Sequence, residues 1–182
     1  MSAIDTTFEE LRSQGKTAFI PFITAGDPDL EFTGQVLAEL DKCGANICEL
    51  GIPYSDPIAD GPVIQASYTR ALNQKIKLDA ILKNAQTWTA DLSTPLVTMV
   101  SYSIIHRQGL EHYVAQAKQA GVAGAIVPDL LVEEAPEFAA ICKREDFSLI
   151  QLVTPTTPRD RALRICETTS GFLYYVSVTG IT

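Results

Sequence analysis

Three carboxylates, Glu49, Asp56 and Asp60, fall within the single stretch Glu49–Pro62, ELGIPYSDPIADGP. Ala45-Asn46-Ile47-Cys48 leads into it, a mostly apolar run of the kind that forms a buried parallel strand. Glu49 would then end a strand, where an unpaired charge is costly to bury unless it is used. Gly51 and Pro53 stop the strand, and Pro57, Gly61 and Pro62 constrain the loop that carries both aspartates. One carboxylate on a rigid strand end and others on a stiff loop beside it could serve as acid and base on two sides of a substrate. A blander reading stays open for each. Ser55-Asp56-Pro57 and Asp60-Gly61-Pro62 are ordinary turn sequences, and Glu49 could be a satisfied buried carboxyl.

The flanking chain must position these groups. A helix is expected over Thr7–Gln14 and a first strand over Thr17–Thr24; Asp29 then caps a helix that ends at Gly44. Strand two is Ala45–Leu50, and helical spacing returns over Val63–Leu72 and Leu78–Thr89. Strands at Pro95–Val100, Gly124–Val127, Leu149–Val153 and Phe172–Ser177 alternate with helices at Leu110–Ala120, Val132–Lys143 and Arg159–Thr168. Repeated β-α units with short connections predict a parallel sheet covered by helices, either an open doubly wound sheet or a (β/α)₈ barrel. Neither a G-x-G-x-x-G after strand one nor a P-loop is present, which favours the barrel.

Composition narrows the chemistry. A net charge of −8 without a block of like charge argues against a nucleic-acid surface. No apolar run is long enough to span a membrane and no signal sequence is seen, so a cytoplasmic protein is expected. Cys43, Cys48, Cys142 and Cys166 lack C-x-x-C spacing and read as reduced thiols. His106 and His112 have no third metal ligand nearby in the sequence. None of the lysines falls at a predicted strand end, which disfavours a Schiff-base aldolase. What remains is cofactor-free proton transfer on a small molecule, or a Mg²⁺-assisted version with Glu49 and Asp60 as ligands.

The stretch ELGIPYSDPIADGPVIQ (49–65) resembles the signature of the tryptophan synthase α-subunit family. Phe19–Pro28 is similar to that family's strand-one motif, Val127-Pro128-Asp129-Leu130 with Glu133-Glu134 to its strand-four turn, and Tyr174–Gly180 to its strand six. Where the family usually reads Tyr-x-Asn-Pro after strand three, this chain has Ser101-Tyr102-Ser103-Ile104. The resemblance implies a single (β/α)₈ TIM-barrel domain over 1–182, covering about the first six β-α units. The C-terminal units, with the glycine-rich loops for the substrate phosphate, are expected to be absent from this chain.

It also implies a lyase. The expected reaction is retro-aldol cleavage of indole-3-glycerol phosphate to indole and glyceraldehyde 3-phosphate, in tryptophan biosynthesis. Glu49 would act as the acid-base group, Asp60 would accept from the indole N–H, and Phe22 and Tyr174 would line the indole pocket. No cofactor or metal is expected in this subunit. The implied partner is a β subunit that holds pyridoxal phosphate, in an αββα heterotetramer. The alternative is a catalytically weak barrel kept as a scaffold that activates the β subunit.

Overall fold

A computed structural model describes residues 2–57 and 60–177. Helix α1 runs over Ala3–Ser13, four residues ahead of the expected start. Its beginning is set by a capping box: Ser2 Oγ accepts from the Asp5 N–H (3.2 Å), and Asp5 Oδ2 accepts from the Ser2 N–H (3.1 Å). Ile4, fully buried, projects from this first turn into the inner core. Replacing Ser2 by Ala should cost about 1 kcal/mol, the usual worth of such a cap. Chemical denaturation would read this as a lower midpoint at unchanged slope.

Five parallel strands follow in sequential order: β1 (Phe22–Thr24), β2 (Cys48–Gly51), β3 (Leu96–Met99), β4 (Val122–Ile126) and β5 (Ser148–Ile150). After Gln151, β6 (Leu152–Val153) pairs with β7 (Tyr174–Tyr175), also in parallel. Each strand lies beside the one before it in sequence. A doubly wound sheet would reverse its order somewhere, so the order selects the barrel arrangement. One register row reads Phe22, Glu49, Val97, Gly124 and Ser148 across the sheet.

Side chains alternate about this sheet. Ile47, Val97, Ile126 and Ile150 pack with Ile4 on the inner face. Cys48, Leu50, Leu96, Ala125 and Leu149 face the helices, against residues such as Leu37, Ile81, Val114 and Phe138. The covering helices are α2 (Leu30–Lys42), α3 (Pro62–Asn73), α4 (Leu78–Asp91), α5 (Tyr102–Gln108), α6 (Leu110–Gln119), α7 (Ala135–Arg144) and α8 (Arg159–Thr168).

Several expected boundaries are corrected. The first strand keeps only Phe22–Thr24 of Thr17–Thr24, because Pro21 has no N–H to give a ladder. Its approach is still tied, with Asn46 N–H donating to Phe19 O (2.9 Å) and Glu49 N–H to Pro21 O (2.8 Å). The expected strand Leu149–Val153 divides at Gln151, whose side chain turns outward to Thr168 Oγ1 (2.6 Å). Helix α7 begins at Ala135 instead of Val132, and the last strand shortens to Tyr174–Tyr175. Helix α5 was not expected at all; Ser101 caps it by accepting from the Ser103 N–H. Val178–Gly180 of the strand-six motif lies outside the described residues, as does the chain end. Among the described residues no helix is long and apolar enough to cross a membrane.

Candidate active site

Glu49 stands one pleat above Ile47 on β2 and therefore faces the inner side of the sheet. It is 4% exposed, and among the described residues no side chain donates a hydrogen bond to its carboxylate. Burial without a partner disfavours the charged form and pushes its pKa up to about 7. A carboxyl poised there can give and take a proton near neutral pH. The reading of Glu49 as a satisfied buried carboxyl is thus not the one the structure supports. Tyr174, on β7, is close enough for the Glu49 charge to reinforce the upward push that burial exerts on its phenol.

Asp60 sits at the end of the loop that leaves β2. Its N–H donates to Pro57 O (3.2 Å), and its own carbonyl accepts from Gln65 Nε2 (2.6 Å) on α3. Gln65 Nε2 also reaches Pro57 O at 3.3 Å, so the first turn of α3 staples the loop from inside. Pro62 opens that helix, as its fixed φ and missing N–H allow. Asp60 is half-buried, and desolvation raises its pKa as well.

A cleft of about 180 Å³ opens over the strand ends, lined by Ile52, Asp60, Tyr68, Met99, Ser101 and Asp129 among others. Asp56 is exposed at its rim. Asp129 accepts from Ser101 Oγ (2.7 Å) and from the Tyr102 N–H (2.7 Å), which ties the β4 turn to the start of α5. The residues that depart from the family's Tyr-x-Asn-Pro thus make a hydrogen-bonded link of their own.

Phe22 pairs with Glu49 in register, but its ring lines a neighbouring groove of about 270 Å³ with Thr24, Ser67 and Arg70. The structure therefore brings Glu49 next to Tyr174 and Asp60 next to Tyr68, and sets the tip of the Phe22 ring over Gly51 near the Tyr68 hydroxyl. Tyr68 and Gln65 were not singled out from the sequence as site residues. Their spacing of three on a helix beginning at Pro62 was the available signal that both face the Asp60 loop. Among the described residues no cluster of three or more His, Cys, Asp or Glu side chains has the geometry to hold a metal ion.

Comparison with known proteins agrees with this architecture. The sequence model described as tryptophan synthase alpha chain matches residues 8–182. The tryptophan synthase alpha chain of Rhodopirellula baltica is 57% identical, over 100% of this chain and 66% of that protein. The crystal structure of tryptophan synthase subunit alpha from Legionella pneumophila superposes with a TM-score of 0.93 at 39% identity, covering 97% of this chain and 68% of the other. A chain of the tryptophan synthase complex from Pyrococcus furiosus matches with a TM-score of 0.83 at 42% identity, covering 87% of this chain and 65% of its own length. The chain thus spans about two thirds of the length of these relatives. With its sequential parallel strands and Glu49 on β2, it belongs to the tryptophan synthase alpha chain family.

Proposed function

We propose that this chain carries the acid-base half of an indole-releasing lyase, the retro-aldol cleavage of indole-3-glycerol phosphate to indole and glyceraldehyde 3-phosphate. The observation that carries this reading is Glu49, a buried carboxyl on the inner face of β2 with a pKa raised to about 7. Protonated Glu49 gives its proton to the ring carbon that bears the glycerol chain, forming an indolenine cation. Asp60, as the carboxylate, accepts from the ring N–H and stabilises that cation. Glu49, now ionised, takes the proton of the adjacent glycerol hydroxyl, the carbon–carbon bond breaks, and the ring recovers its electron pair. Glu49 ends protonated, as it began. Tyr174 borders Glu49 and Phe22 borders the site, which supports pocket-lining roles for both.

A barrel kept only as a scaffold gains nothing from an unpartnered buried carboxyl, which costs stability at neutral pH. The partner we propose is a pyridoxal phosphate-bearing β subunit in an αββα assembly, in the cytoplasm. Membership of a family represented in the Pyrococcus furiosus tryptophan synthase complex supports this. The reaction as drawn uses no cofactor in this subunit. In the native chain, indole release should be unchanged by excess chelator. Loss of turnover on chelation, restored by Mg²⁺, would instead make Glu49 and Asp60 metal ligands.

A further inference from the structure

The Asp60 role just proposed asks for a carboxylate that stays ionised, yet the cleft around it works the other way. The titratable groups that line the cleft with Asp60 are Tyr54 and Asp56 of its own loop, Tyr68 of α3 and Asp129 of the β4 turn; Glu49 lies on β2 outside this lining. Among the described residues no Lys, Arg or His lines the cleft. The nearest guanidinium on α3, Arg70, is committed to Asp27 in a two-pronged pair (2.7 and 2.8 Å). Ser101 gives its hydroxyl to Asp129. A neutral donor is the remaining means of holding the charge.

Tyr68 is placed to be that donor. It is 4% exposed, lines the cleft beside Asp60, and projects from the same helix whose Gln65 staples the Asp60 loop. Its hydroxyl hangs over the end of β2: a Cβ on Gly51 would come within 3.1 Å of it and 2.4 Å of Phe22 Cζ. Gly51 shares the inner face with Glu49, two residues along the strand, or about 7 Å. Absence of a side chain at Gly51 leaves the room that the phenol and the Phe22 ring use. Among the described residues the Tyr68 O–H has no acceptor, and the Asp60 carboxylate has no side-chain donor. A phenol that opens onto the cleft and a half-buried carboxylate thus share one space, near enough for the Asp60 charge to act on the Tyr68 phenol, and among the described residues neither has a side-chain hydrogen-bond partner. Tyr54 is more exposed and can satisfy its hydroxyl with water.

We infer that Tyr68 is a positioning residue for the proposed lyase reaction: its phenol donates to the Asp60 carboxylate and aims it at the ring nitrogen of the substrate. A charge-assisted O–H···O⁻ bond favours the ionised form and fixes the direction of the free oxygen. The inference rests on the lyase reading, and the test separates the two.

Tyr68→Phe keeps the ring and removes only the hydroxyl. In the native chain the Asp60 carboxyl, followed by carbon-13 NMR, should titrate about one pH unit higher than in the unsubstituted protein. The acid limb of kcat/KM for indole release should move up with it, and kcat should fall about tenfold with little change in KM. In an Asp60→Asn background, adding Tyr68→Phe should change kcat less than twofold, because the two act as one unit. An unmoved Asp60 titration overturns the inference whatever the activity, as does an equal loss of kcat in the Asp60→Asn background. An unsubstituted native chain that releases no indole sinks the lyase reading, while the NMR titration still decides whether Tyr68 holds Asp60.

Discussion

Glu49→Gln should abolish indole release while making the protein more stable above neutral pH. The amide keeps the shape of the side chain but cannot exchange a proton, and acid-base catalysis is typically worth ~10²–10⁴ in rate. Stability moves oppositely because of the burial that raises the Glu49 pKa from 4.5 to about 7. Below pH 4.5 the carboxyl is protonated in folded and unfolded chains alike, and its ionisation costs nothing. Between 4.5 and 7 the unfolded state loses the proton first, so it binds fewer protons and stability falls as pH rises. Above 7 the folded protein holds a buried charge at a cost of roughly 3 kcal/mol, taking 1.36 kcal/mol per pKa unit. Glutamine never bears that charge. Relative to the parent, the variant should therefore melt higher at pH 8 than at pH 5. Thermal unfolding at the two values, beside a steady-state assay of indole release, measures both effects. Substantial turnover in the folded variant would transfer the proton shuttle to another group.

Asp60→Asn should lower kcat and kcat/KM together, by about 10²–10³, with KM nearly unchanged. This is the pattern for a group whose charge matters mainly as the transition state gains positive charge, and the magnitude follows that of single electrostatic contacts of this kind. The backbone of residue 60, held by Gln65 Nε2 and by Pro57 O, does not depend on the carboxylate, so the loop should keep its path. Steady-state kinetics with the glycerol phosphate substrate would decide the matter. A raised KM with intact kcat would make Asp60 a ground-state binding residue and remove it from the chemistry.

Much of this site is set by interactions close in sequence, and those were legible in the chain itself. Asp29 caps α2 by accepting from the Phe32 N–H (2.7 Å), Pro62 opens α3, and Arg159–Thr168 is helical over its full expected span. Each depends on residues within a turn of one another, so residue type suffices. That Glu49 lies in an apolar strand followed from the same local logic, although the strand runs on through Leu50 to Gly51 instead of ending at the carboxylate. Strand limits did not, since a strand exists only where a neighbour supplies the ladder: Thr17–Pro21 fits the strand pattern, but ladder pairing with β2 begins only at Phe22. Barrel and doubly wound sheet share one β-α pattern; motifs favoured the barrel, and the sequential strand order is what separates the two in the structure. Phe22 could be named from its motif, but only the structure shows what seats its ring: the missing side chain at Gly51 leaves the space its tip occupies. The chemistry of Glu49 and Asp60 depends on tertiary structure most of all. A carboxyl in water titrates near its ordinary value. The shift to about 7 arises when β2 is sealed between β1 and β3, with Ile4 packed into the core beside it. Residue identity placed an acid there, and its removal from water made it one that can work at neutral pH.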